Sequence, residues 1–200
     1  GGGGSGGSGI DLSTGNGSFG DLVGEERRLS GIQPSLAPED PSNRSDTAQF
    51  DGIILLVDDL PAAAPGDTAY IGQVRFDANF ATGDMQNGRA FNFFQNVIDS
   101  SNNPAGPANS RAGELTLTAD NFSSTGTSAF NVDMNGTFDL DGSGAVGASA
   151  TDASGRFNGV NGSNNPTVFS AEGISVANGG AGGELVVGGS TTLDWSILAD

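Results

Sequence analysis

The sequence predicts an all-β protein: a single small antiparallel up-and-down β-barrel of about eight strands, preceded by an irregular N-terminal arm. Two stretches, Tyr70–Phe80 and Ala129–Leu140, alternate apolar and polar residues, the pattern of half-buried strands. Gly-, Asn- and Asp-rich turns separate the apolar segments at the spacing of hairpins. Only 35 % of the residues are hydrophobic, which suits strands that bury alternate side chains. A β-sandwich is the alternative that the same pattern allows.

The first 52 residues are expected to lie outside the barrel, which is assigned to residues 53–200. Residues 1–9, GGGGSGGSG, predict a flexible tether. This tether is either an artificial linker or a natural spacer that follows a processed N-terminus. Residues 10–52 contain three spaced prolines and no strong period, so they predict an extended arm or handle. A helical turn around Asp21–Leu29 is the most regular structure expected there.

The barrel is expected to start with a buried strand and a hairpin. Ile53–Val57 is a continuous apolar run that ends at two aspartates, as a buried strand with a stop would. In Tyr70–Phe80 the apolar face includes Gly72, and a glycine there lets bulky Phe side chains fill a narrow barrel. Thr82-Gly83-Asp84 forms the turn into a strand over Arg89–Asp99.

The prediction also includes two long polar loops and six further strands. Ser100–Ser110 is polar and punctuated by Pro and Gly, so an exposed tip is expected. Gly159–Pro166 is a second long polar loop. The remaining strands are expected at Glu114–Thr118, Ala129–Leu140, Ala145–Gly159, Thr167–Val176, Gly183–Gly188 and Thr191–Leu198.

The composition excludes most side-chain chemistry. The chain has no His and no Cys, and all seven basic residues are Arg. Histidine acid–base catalysis, Cys nucleophiles, Cys/His metal sites and Schiff-base lysines are therefore excluded. No pair of carboxylates is marked as a catalytic pair, so an enzyme is not expected, and neither is a cofactor.

The net charge of −17 limits the partners. A chain without a surplus of basic residues is not expected to bind nucleic acid or an anionic membrane surface. The charge favours solubility, or a basic partner or divalent cations. No apolar run approaches the length of a transmembrane helix, so no transmembrane segment is expected.

The candidate metal ligands are Asp139 and Asp141. Asp139-Leu140-Asp141-Gly142-Ser143-Gly144 imitates the start of an EF-hand calcium loop, but Ala150 stands where a bidentate Glu is required. A β-turn is the simpler interpretation, and a weak Ca²⁺ contact is the alternative. Asp58 and Asp59, with Asp67 nearby, could form an oxygen-rich cation site or a solvated strand end.

Three segments resemble the barrels of transferrin-binding-protein-B-like surface lipoproteins. Tyr70–Asp77, with the Thr-Gly turn in Asn79–Gly83, is similar to a barrel hairpin of that family. Ser154–Gly159 resembles its Gly-x-Phe-x-Gly strand, and Ala181–Gly189 resembles its closing strand. Gly1–Gly9 would match the tether that follows the lipidated cysteine in many members.

The resemblance covers roughly residues 53–189 and implies a cell-surface protein. It implies an outer-membrane lipoprotein with a lipid anchor upstream of Gly1, or a secreted protein. Members bind host iron proteins, haemoglobin, haem or complement regulators through loops and the handle. Phe169–Gly173 departs from the family pattern, and the chain is shorter than a two-lobed receptor. No binding residue carries over, because the loops show no matching motif.

Two functions follow from the sequence. The first is a non-enzymatic, surface-exposed binding module that recognises a protein partner through the loops Ser100–Ser110 and Gly159–Pro166. The second is a structural assembly subunit of a surface layer, a filament or a capsid decoration, which would associate with itself. The arm distinguishes them, because a handle packs on its own barrel whereas an assembly strap packs on a neighbouring copy.

Overall fold

The protein is a closed antiparallel β-barrel, which confirms the predicted fold class over the β-sandwich. The computed structural model describes residues 12, 15–58, 65–99, 101, 103–119 and 121–200. The tether expected over residues 1–9 lies outside the described residues. Within these residues, eight strands form the ring, each paired with the next along the chain, and the eighth pairs with the first to close it.

The ring strands match the predicted segments closely. They are β2 (Thr47–Val57), β3 (Thr68–Asn79), β4 (Asp84–Ile98), β6 (Gly113–Ala119), β7 (Phe130–Phe138), β8 (Val146–Gly159), β9 (Val168–Gly173) and β11 (Thr191–Ala199). The first of them starts six residues before the expected boundary at residue 53. Phe50 explains the longer strand, because its ring stacks on Phe76 inside the barrel at 5.1 Å.

Three short strands lie beside the ring. β1 (Ala37–Pro38) pairs with the end of β8, and β10 (Leu185–Val187) bridges the starts of β8 and β11. β5 (Pro104–Arg111) pairs with β4 over Phe93–Ile98. The expectation that Ser100–Ser110 forms only an exposed loop was therefore wrong. β4 extends beyond its pairing with β6 and offers a strand edge, which the polar segment satisfies with backbone hydrogen bonds.

Aromatic rings fill the inside of the barrel. The ring of Phe157 lies 4.9–5.7 Å from five other Phe rings. Trp195 is fully buried, and its indole N–H donates to the carbonyl of Gly183 at 2.8 Å. A Cβ atom on Gly72 would lie 2.5 Å from Cδ1 of Phe93, so glycine makes room for a ring, as the sequence predicted. The lumen is thus a packed core.

The arm, meaning the described residues before Thr47, contains a regular helix. α1 spans Phe19–Ile32, where only a helical turn was expected. Ser18 caps it: the Ser18 hydroxyl accepts from the backbone N–H of Asp21, and the Asp21 carboxylate accepts from the N–H of Ser18. Leu22 and Leu29 are fully buried against Ile53 and Ile71 on the outer face of the barrel. Packing on the barrel stabilises a helix whose glycines disfavour it in isolation.

Polar contacts also hold the arm on the barrel, at two places along the arm. At the N-terminal end, the fully buried side chain of Gln73 donates to the carbonyls of Leu12 and Gly15 and accepts from the N–H of Gly17. Asn92, in the left-handed region at φ 56°, donates to the carbonyl of Gly17 at 2.8 Å. Along the helix, Arg28 forms an ion pair with Asp200 at 2.7 Å. The arm is therefore attached to its own barrel at defined points.

Candidate functional site

The predicted metal-ligating residues form a loop that is stabilised by its own backbone. Oδ1 of Asp139, which is buried, accepts from the N–H groups of Asp141, Gly142 and Gly144 at 2.9–3.4 Å. Oδ1 of Asp141 accepts from the hydroxyl of Ser143 at 2.5 Å and from its N–H at 2.9 Å. These hydrogen bonds, chiefly the one from the hydroxyl, hold the pKa of Asp141 below its usual value. The geometry is that of a turn in which aspartate side chains cap backbone donors.

Tyr70 supports this loop from inside the barrel. Its hydroxyl donates to the carbonyl of Leu140 at 2.6 Å, and its ring packs edge-on against Phe138. Burial raises the pKa of Tyr70 to about 12. In the part of the chain that the structure describes, no group of three or more His, Cys, Asp or Glu side chains is arranged to hold a metal ion. The weak Ca²⁺ contact stays a prediction.

The second candidate cation site falls partly outside the described residues. Asp59 is not among them. Asp58 follows the end of β2 and Asp67 precedes β3, and these strand ends lie together because Val57 pairs with Ala69. The carbonyl of Asp67 accepts from the N–H of Ile98 at 3.1 Å. Both aspartates therefore stand at one end of the barrel, where β4 also ends.

An apolar groove opens at this end of the barrel, between α1 and the outer face of β2, β3 and β4. Its volume is about 340 Å³. The helix contributes Phe19 and Val23 to the apolar lining. The three strands contribute Leu55, Val57, Ile71, Phe94 and Ile98. The rings of Phe19 and Phe94 pack against each other within this lining, with their centroids 5.9 Å apart.

Charged residues stand around the apolar groove. Glu26 and Arg27 line it from the helix. Asp58 and Asp99 directly follow the groove-lining residues at the ends of β2 and β4, and Asp67 lies two residues before Ala69. Arg27 donates to the side chain of Asn103 at 3.3 Å. The charges of the two lining residues thus balance, and the three aspartates at the adjoining strand ends add negative charge beside the groove.

A second groove, which is polar, lies beside the part of the arm that follows α1. It has a volume of about 570 Å³ and runs between the chain after α1 and the outer face of β8, β9 and β11. Two rows of cross-strand neighbours form its floor. One row is Ser154, Glu172 and Ser196, and the other is Arg156, Ser170 and Leu198. Leu36 and Pro38 form the wall on the side of the arm.

The predicted contact loops have different structures. Ser100–Ser110 is mostly the exposed strand β5, as described above. Gly159–Pro166 remains a loop, and Val160 in it is 66 % exposed. The buried carboxylate of Glu39 in the arm accepts from the N–H of Gly162 in this loop at 2.9 Å. The arm therefore also supports the loop at the end of β8.

Comparison with protein-family models, curated proteins and solved structures found no match for this chain. The resemblance to transferrin-binding-protein-B-like lipoproteins remains a prediction from the three sequence segments. The described part of the chain contains no helix that is long and apolar enough to span a membrane.

Sequence reasoning did not find either groove. Both lie where the arm meets the barrel, and the arm has no sequence period that would place it. One signal is present for the polar groove: Ser154 and Arg156 alternate with buried residues in β8. This alternation indicates an outward polar face, but it does not show that Gln33–Pro38 encloses the face on one side.

Proposed function

We propose that this protein is a non-enzymatic surface-exposed or secreted binding module. Its partner is a protein with a basic surface that inserts an apolar side chain into the groove beside α1. The observation that carries the proposal is an apolar groove of about 340 Å³ that Glu26 and Arg27 line from the helix, with three aspartates at the adjoining strand ends. An apolar pocket surrounded by charge is the usual form of a binding hot spot.

The overall charge supports a basic partner. Of the seven arginines, all of which are described, six interact with other parts of the chain through hydrogen bonds, ion pairs or ring contacts. The net charge of −17 is therefore presented to solvent with little basic surface. Complementary charge accelerates association with a basic partner and repels acidic proteins.

The arm favours the binding module over the assembly subunit. Its apolar side chains pack on the barrel of the same chain, and Gln73, Asn92 and Arg28 connect it to that barrel through hydrogen bonds. A strap that ordered itself only against a neighbouring copy would not need these intramolecular contacts. Self-association remains the alternative that the first experiment addresses.

Light scattering on size-exclusion fractions tests the two functions against each other. We expect a monomer of 19.9 kDa over a wide concentration range, with and without millimolar Ca²⁺. Large or Ca²⁺-dependent particles would contradict the binding module and favour the assembly subunit.

The groove is then tested with a defined probe, a short peptide of alternating Lys and Leu. We expect NMR shifts at the amides of Val23, Ala69 and Ile98, and weaker binding as added salt screens the charges around the groove. A peptide of alternating Asp and Leu should not bind.

Val23→Gln removes apolar lining without disfavouring the helix, and it should weaken peptide binding. Val176→Gln is the matched control, because Val176 is 75 % exposed and does not line the groove. Equal effects of the two substitutions would contradict the proposed groove.

A further inference from the structure

We infer that the polar groove is a binding site for a carboxylated sugar, such as a uronic acid. The inference is independent of the protein-binding proposal, because the polar groove and the apolar groove share no lining residue. It is based on one arginine, on the hydroxyl groups around it and on the apolar wall that the arm provides.

Arg156 differs from the other six arginines. It is exposed on the groove floor and has no hydrogen bond, ion pair or ring contact with the described residues. A guanidinium group presents donors in a planar fork that matches a carboxylate. In a chain with so few basic residues, an arginine left without an internal partner inside a groove is available to an anionic ligand.

The groups around Arg156 match a polyhydroxylated ligand. Ser170 is its direct neighbour on β9, and the Ser170 hydroxyl already accepts from Nδ2 of Asn158 at 2.9 Å, which leaves the hydroxyl hydrogen free to donate. The next row places Ser154 and Ser196 on either side of Glu172. Directly opposite side chains in a sheet lie about 5 Å apart, a spacing that fits the hydroxyl groups of one sugar ring.

The apolar part of the groove completes the match. Leu198 lies at the end of the row that contains Arg156 and Ser170, and Leu36 and Pro38 line the groove from the arm. The C–H face of a pyranose ring can pack against such side chains while its hydroxyls reach the polar floor. A small inorganic anion would leave the apolar wall without a contact.

Glu172 selects among anions. Its row lies next to the row of Arg156, so a dianion such as phosphate would be repelled by the carboxylate. A sugar with one carboxylate can instead donate a hydroxyl hydrogen to Glu172 while its own carboxylate accepts from Arg156. The arrangement therefore favours a monoanion with hydroxyl donors over phosphate, sulfate or a neutral sugar.

NMR titration of the full chain with sodium glucuronate tests the inference. Moderate salt is included so that the net charge of −17 does not repel the anion at long range. We expect saturable shifts at the amides of Ser154, Arg156 and Ser170. Glucose, which lacks the carboxylate, and acetate, which lacks the hydroxyls, should each bind at least about tenfold more weakly, since each loses a hydrogen bond to a charged group. Equal binding of methyl glucuronide would indicate that a terminal glycan residue is accepted as well as the free acid.

Arg156→Gln provides the decisive variant. Because the side chain of Arg156 has no partner among the described residues, the substitution should leave the unfolding midpoint unchanged while glucuronate affinity falls about tenfold or more. Arg27→Gln removes the same charge at the other groove and should leave the affinity unchanged. The inference is overturned if glucose or acetate binds as well as glucuronate, if Arg156→Gln retains the affinity, if both variants lose it equally, or if the titration does not saturate.

Discussion

The two faces of β2 and β3 are stabilised in different ways. The inner face belongs to a continuous aromatic core in which Phe50, Phe76 and their neighbours contact rings from across the barrel. The outer face carries a small apolar cluster under α1, and its precise attachment depends on hydrogen bonds from Gln73 and Asn92. The hydrophobic effect that holds the apolar cluster together is non-directional, whereas hydrogen bonds require a defined geometry. The comparison indicates that the core determines the barrel and that the polar contacts determine where the arm lies.

The inner face should show the largest effect of a single substitution. Phe157→Ala removes a fully buried ring with five ring neighbours, and the cavity should lower the free energy of unfolding by about 3–5 kcal/mol. Trp195 is the only tryptophan and is buried in the same core, so its fluorescence reports denaturant unfolding. Phe94→Ala is the control from the outer face, where the half-exposed ring should contribute less. An equal loss for the two variants would contradict the difference between the faces.

Removing the helix tests whether the inner face still folds when the outer face has lost its cover. A chain that begins at residue 36 lacks α1 but keeps β1, β2 and every residue of the aromatic core. We expect one cooperative unfolding transition of Trp195 fluorescence at a lower midpoint, because Ile53 and Ile71 lose their apolar cover. A longer truncation through Phe50 would not test this point, since Phe50 itself belongs to the core. Loss of the cooperative transition would show that the barrel depends on the arm.

The inner face was largely predictable from the sequence. Alternation places Val74, Phe76 and Phe80 on one side of a strand whatever the rest of the chain does, because successive side chains of a strand point to opposite faces. Glycine turns then mark where each strand ends. These signals are local, so they predicted the bounds of most ring strands to within a few residues.

The outer face was not predictable, because its structure depends on long-range contacts. The alternation in Tyr70–Phe80 predicts that Gln73 lies on the outward polar side of its strand. It does point outward, but the arm covers it completely. The helix has glycines that lower its propensity, so it depends on its capping box and on its burial against the barrel. β5 contains two prolines, which disfavour a strand prediction, and it forms because β4 extends past the ring. Both candidate grooves depend on these same long-range contacts.

The arm's attachment should respond to a single polar side chain. Gln73→Leu keeps the approximate volume but removes the hydrogen bonds of Gln73 to the carbonyl of Gly15 and from the N–H of Gly17, whereas the carbonyl of Leu12 still accepts from Arg75. Leaving such groups unsatisfied should cost about 1–3 kcal/mol. Amide hydrogen exchange should therefore become faster in α1 than in the barrel strands.

Gln49→Leu is the matched control for this substitution. Gln49 lies on the neighbouring strand β2, is exposed, and its side chain donates to Asp51 at 2.8 Å. Exchange in α1 should stay unchanged in this variant. Unchanged exchange in Gln73→Leu as well would show that the apolar cluster alone positions the arm.

The smallest effect is expected at alkaline pH, from the one tyrosine of the chain. Burial raises the pKa of Tyr70 to about 12, against about 10 for an exposed phenol. The neutral phenol is thus favoured by folding, so this contribution to stability is fully present below pH 10 and is lost as the pH rises through 12. Near-ultraviolet phenolate absorbance follows this group alone, and its midpoint should fall from about 12 to about 10 when denaturant unfolds the chain. Tyr70→Phe should make the unfolding midpoint less dependent on alkaline pH, although it also removes the hydrogen bond to Leu140. A folded-state midpoint near 10 would show that the phenol is open to water, and that the loop of Asp139 and Asp141 is not packed on the core as the structure has it.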